Sequence, residues 1–119
     1  MISKIKNLLM IIEQGTSGIW HYRKWSDGTA ECWGTMVTGN ISVSALSGFY
    51  GGTSACDAFP TDLFITKPQV FVNCETWGSG YHLAYAYNVT KDRCRLGGIR
   101  NDGNSSPMTA NIHAIGKWK

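Results

Sequence analysis

What this sequence lacks narrows its function before its contents are considered. Only 16% of its 119 residues are charged, and the formal net charge is +3. With so small an imbalance and with Lys and Arg scattered along the chain, no nucleic-acid partner is expected. The densest basic stretch, Lys91 to Arg100, is broken by Asp92, Gly97 and Gly98. It reads as a solvated strand edge, where charge discourages sheet-to-sheet association. No apolar run approaches the ~20 residues of a membrane span. The N-terminal run from Leu8 to Ile12, behind Lys4 and Lys6, is shorter than the ~7–15 apolar residues of a secretory leader. Neither membrane insertion nor export by that route is expected.

Signatures of chemistry are equally scarce. The chain has no G-x-S-x-G elbow, phosphate-binding loop or dinucleotide fingerprint. Cys32, Cys56, Cys74 and Cys94 contain no C-x-x-C pair, and His21, His82 and His113 have no H-x-H or H-x-x-x-H partner, so no metal or cofactor is expected. Each His reads as a structural, hydrogen-bonded residue. The cysteines fit buried free thiols, since three of them sit in strand-like runs, with two disulfides as the alternative. Sequons at Asn40, Asn88 and Asn104 are of a kind frequent by chance. Among the carboxylates, Asp27, Asp92 and Asp102 are turn residues and Asp62 adjoins a proline bend. A glycosidase needs two carboxylates ~5–10 Å apart. Only Glu31 and Glu75, if on facing strands of an open cleft, would qualify, and an enzyme is not expected.

What is present is aromatic and glycine-rich: 12% aromatic residues with five Trp, and fourteen Gly. Many turns and few solvated helices point to an all-β domain. The N-terminus differs. Ile2, Ile5, Leu9 and Ile12 follow the 3-4-3 spacing of a coiled-coil seam, and Ile at such positions favours three strands. Residues 1–14 are therefore predicted as the helical end of a stalk, with Ile2, Ile5, Leu9 and Ile12 at a trimer interface. A linker over 15–18 follows, with Gly15 as the helix C-cap.

From Ile19 the apolar period becomes two. Trp20, Tyr22 and Lys24 share one face, and Ser26-Asp27-Gly28 is a hairpin turn. The return strand places Ala30, Cys32, Gly34 and Met36 on one side. A strand region around Asn40–Leu46 leads into SGFYGGTSACD, a loop by its glycines, and Pro60 and Pro68 bracket a bend. QVFVNCETW reads as a buried strand. Gly78-Ser79-Gly80 turns into YHLAYAYNV, where Tyr81, Leu83, Tyr85 and Tyr87 face one way and His82, Ala84 and Ala86 the other. CRLGGI, a polar loop over 101–106 and TANIHAIGKW complete a single antiparallel β-sandwich over 19–119.

Without a catalytic cluster, recognition by surface remains. Tyr50, Trp77 and Tyr81 are loop or loop-edge aromatics, able to stack on sugar faces or fill a partner's pockets. Arg100, Asn101 and Asp102 add hydrogen-bonding groups nearby. Trp20, Trp25, Trp33 and Trp118 are assigned to the core or a subunit interface, which is also the alternative for Trp77.

The stretch IWHYRKWSDGTAECWGTM resembles the opening of C-terminal domains of bacteriophage tail fibres and prophage minor structural proteins. Trp20, Tyr22, Lys24, Trp25, Ser26, Gly28, Ala30, Glu31, Cys32, Trp33 and Gly34 match that pattern in order. FPTDLFITKPQVFV is similar to the family's middle segment, and NIHAIGKWK to its closing strand, with Lys117 where Arg is usual. The resemblance implies a trimeric β-sandwich at the distal end of a fibre, in the virion tail, assembled in the host cytoplasm. It implies as partners the rest of the fibre and a host cell-surface glycan or protein, bound by variable loops. The alternative is a structural trimerisation or virion-assembly module that contacts no receptor.

Overall fold

The two-residue alternation read from Ile19 onward is realised as strands, and it begins eight residues earlier than expected. The structure, a computed structural model, describes residues 9–119. Strand β1 (Ile11–Ser17) pairs antiparallel with β2 (Trp20–Trp25), in a register running from Ile11 opposite Trp25 to Ser17 opposite Trp20. The predicted helix is thus corrected over residues 11–14, and the predicted linker over 15–17 is strand as well. Ile2 and Ile5 lie outside the described residues. Leu9 and Ile12 are exposed, Ile12 within β1. The physical reason is local. A helix of two heptads is marginal in water, β-branched Ile11, Ile12 and Thr16 suit a strand, and Gly18, at φ +59°, makes a tight two-residue hairpin with Ile19. Met10 is held against the next hairpin: its N–H donates to Ser26 Oγ, and its carbonyl accepts from the Ser26 N–H.

The remaining strands are β3 (Thr29–Val37), β4 (Ser44–Leu46), β5 (Phe49–Ala55), β6 (Gln69–Thr76), β7 (His82–Tyr87), β8 (Arg95–Arg100) and β9 (Thr109–Lys117). They form two antiparallel sheets, ordered β1-β2-β3-β9-β6 and β4-β5-β8-β7. Both sheets contribute to one core. Ala30 and Cys32 of β3, and Ala110, Ile112 and Ala114 of β9, face Leu96 of β8 together with Trp77, Cys94 and Met108. Trp20, Phe59 and Phe64 close one side in two edge-to-face contacts with centroids 5.5 Å apart. All four cysteines are free thiols, and Cys32, Cys56 and Cys94 are buried.

Four strand readings change. SGFYGGTSACD is not a loop; most of it is β5, paired along its length with β8. Its glycines serve close approach, because a Cβ on Gly52 would lie 2.5 Å from Ile41 Cγ2. The basic stretch ends in β8, which is interior to its sheet and not an edge; Leu96, Gly97, Gly98 and Arg100 are buried. Conversely, QVFVNCETW is an edge strand with alternating exposure, so Phe71 and Asn73 point outward. The region around Asn40–Leu46 contributes only an isolated bridge at Ile41 and the three residues of β4.

Candidate functional site: a braced loop end

At one end of the four-stranded sheet, Tyr50, Arg100 and His82 stand side by side on β5, β8 and β7. The chain leaves β8 there into the loop of residues 101–106. Arg100 is only 2% exposed, and a buried cation is costly unless it is paired and hydrogen-bonded. Its Nη1 donates to Ser106 Oγ at 2.7 Å, and its Nη2 lies 2.8 Å from Asp102 Oδ1 and 3.0 Å from Oδ2. The guanidinium also sits 5.0 Å over the Trp77 ring. Trp77 is fully buried and donates its indole N–H to the Ser106 carbonyl at 3.0 Å. Among the described residues, Arg100 Nε and His82 Nδ1 are buried without a hydrogen-bond partner.

The loop is ordered from within. The Asn104 N–H donates to Asp102 Oδ1 at 3.0 Å, and this bond, then the Arg100 guanidinium, holds the Asp102 carboxyl below its ordinary value. Asn101 ties the loop to the β7 entry: its Oδ1 accepts from the Tyr81 N–H at 3.0 Å, and its own N–H donates to the Tyr81 carbonyl at 3.2 Å. Two glycines make this approach possible. Gly78, at φ +66°, would place a Cβ 2.5 Å from Arg100 Nη2, and Gly80, at φ +96°, would place one 2.5 Å from Asn101 Oδ1. Tyr81 stands on this brace with 84% of its surface exposed.

The six residues singled out in the sequence therefore meet at one end of the fold, but not in one role. Trp77 and Arg100, expected to offer surface to a ligand, are framework: burial removes them from direct contact. Tyr81 and Asn101 are exposed, and Tyr50 and Asp102 are half-buried, with the Tyr50 ring 3.1 Å from where a Gly103 Cβ would stand. Sequence reasoning missed Gly78, Gly80, Asn104 and Ser106. The Asp102-Gly103-Asn104 spacing, typical of an Asx turn, was the available signal.

Glu31 and Glu75 are not brought together. Glu31 lies opposite Ile115 on β9, and Ile115 opposite Gln69 on β6, six residues from Glu75. At ~3.3 Å per residue the two carboxylates are roughly 20 Å apart along the sheet, beyond a glycosidase pair. Among the described residues, no group of three or more His, Cys, Asp or Glu is placed to hold a metal ion.

The outer face of the four-stranded sheet carries an apolar patch. Leu46 opposes Phe49, Ile99 lies between Gly51 and Leu83, and Tyr85 lies beside Gly97. Leu46, Phe49, Leu83 and Tyr85 are all exposed.

No family model and no curated protein matches the sequence. Two solved structures share its fold. An N-truncated R1-type pyocin tail fibre matches with a TM-score of 0.62 and 15% identity, over 96% of this chain and 91% of that one. A C-terminal piece of the P. aeruginosa R1 pyocin fibre matches with a TM-score of 0.52 and 15% identity, over 88% of this chain; the match spans 28% of that longer one. The chain thus has the fold of an R1 pyocin tail fibre's C-terminal region, in agreement with the tail-fibre resemblance carried by Trp20–Gly34 and Asn111–Lys119.

Proposed function

We propose that this chain is the distal domain of a phage-type tail fibre, trimeric and non-catalytic, whose loop end binds a host cell-surface receptor, glycan by class. It would be joined to the rest of the fibre in the virion tail after assembly in the host cytoplasm. The observation that carries the reading is Tyr81. Its backbone is bonded in both directions to Asn101, yet its ring packs on little within the chain. An exposed aromatic on a backbone already ordered presents a large contact area with little backbone entropy left to lose on binding. The fold likeness supports the fibre assignment, and the apolar outer face of the four-stranded sheet supports self-association, since contiguous patches of this kind mark interfaces. Three copies would give avidity to individually weak sites.

The test is adsorption of the full chain to host-cell surfaces and to glycan arrays. Tyr81→Ala is expected to weaken adsorption about tenfold, equivalent to ~1.4 kcal/mol, while leaving the melting temperature within about 2 °C, as for a surface substitution. Blank results on both surfaces with a well-folded protein would overturn receptor binding and favour the assembly module.

A further inference from the structure

The outer face of the five-stranded sheet holds a second arrangement that the loop end does not involve. A shallow groove of about 1010 Å³ crosses β2, β3, β9 and β6, at the upper end of the ~300–1,000 Å³ typical of ligand sites. The register sets its residues in rows. Trp33, His113 and Phe71 stand abreast, and Thr35, Asn111 and Asn73 form the next row.

The floor is fixed by its own contacts. His21 stacks on Trp33 with centroids 5.7 Å apart and planes 17° apart, and the Arg23 guanidinium lies 4.8 Å from the Trp33 ring centre. Glu31 engages His113 Nε2 at 2.9 Å and Arg23 Nη1 at 3.8 Å. Asn111 Oδ1 accepts from Thr35 Oγ1 at 2.7 Å, which orients the amide. What is left open to a ligand is specific. Phe71 is 56% exposed, and among the described residues neither the Asn73 side-chain amide nor Trp33 Nε1 has a hydrogen-bond partner.

We propose that this groove is a carbohydrate-binding site. The C–H face of a sugar ring would lie on Phe71, with its hydroxyls exchanging hydrogen bonds with the Asn73 and Asn111 amides and the Trp33 indole N–H. A second copy of the chain is the poorer occupant. An interface core between copies is depleted in charged residues, whereas this groove is lined by Arg23, Glu31 and His113; the opposite sheet, which exposes Leu46, Phe49, Leu83 and Tyr85, is the better interface. A ligand with one apolar face and a rim of hydroxyls satisfies both halves of the groove.

This inference rests on the glycan reading above and adds a separate site. The experiment probes an array of bacterial surface oligosaccharides with the wild-type protein, then titrates any hit calorimetrically against Phe71→Ala, Asn73→Ala and Tyr81→Ala, with the mass of each variant measured by light scattering. Losses of about tenfold or more for Phe71→Ala and Asn73→Ala, at unchanged mass, support the groove. Binding that depends on Tyr81 and ignores Phe71 and Asn73 overturns the groove and leaves the loop end standing. A lower assembly mass for Phe71→Ala also overturns it, by showing that this face is an interface. If no oligosaccharide binds but cells are still adsorbed, the groove falls and the receptor is a protein; if neither binds, both readings fall.

Discussion

At the residue scale, small side chains determine how closely the two sheets approach. Gly98 lies at the centre of β8, where an added Cβ would stand 2.5 Å from Trp77 Cζ3 and 2.8 Å from Met108 Cε. The Met108 end can swing, but Trp77 is a rigid, fully buried ring, so Gly98→Ala is expected to destabilise by about 1–3 kcal/mol, read as a lower midpoint in urea unfolding. An unchanged midpoint would mean that this contact is looser than described. Cys32 is the titrating counterpart. Burial first, then neighbouring Cys94 and Glu31, push its thiol up to about 12 from an ordinary 9.0. A raised folded-state value means that the native protein holds this proton after the unfolded chain has released it. The contribution of Cys32 is therefore fully present below pH 9 and is lost as pH rises from about 9 toward 12, by up to about tenfold in the folding equilibrium per pH unit. Cys32→Ala should flatten that alkaline decline in a stability–pH series.

At the element scale, the hairpin from Trp20 to Gly34 and the closing strand were legible because each alternates cleanly. Ala30 and Cys32 face inward as expected, and Ala84 and Ala86 of β7 are likewise the less exposed set. What was not legible came from non-local pairing. Only Ile12 of the predicted seam falls in β1; there β2 offers the chain a register, and a paired hairpin outweighs a short lone helix. β5 looks like a loop because its glycines suggest turns, whereas Ile41 and Leu46 crowd it too closely for side chains. Trp77 looks like a loop-edge ligand contact, although Arg100, twenty-three residues on, covers it. Distances of this kind are absent from periodicity. The same topology predicts hydrogen-exchange behaviour. Backbone amides in the middle of β8 and β9, paired on both sides, should exchange slowest, and those of the short exposed edge β4 fastest. Comparable protection of β4 and β9 would contradict the strand order.

At the scale of the whole molecule, two outer faces differ in character, and that difference organises the functional reading. The four-stranded sheet exposes Leu46, Phe49, Leu83 and Tyr85, while the five-stranded sheet exposes a mixed face of aromatic, amide and ion-paired groups. An isolated chain would leave the first face in water, where apolar surface costs about 25 cal/mol per Å². Self-association would bury it and leave the braced Tyr81 end and the polar groove for other partners. Avid binding at the Tyr81 end therefore depends on assembly, and sedimentation equilibrium of the full chain at micromolar concentration tests that assembly most directly. A species of about 39 kDa, three times the 13.1 kDa chain, that Leu83→Asp dissociates is the predicted result; a 13.1 kDa monomer across the concentration range would contradict it.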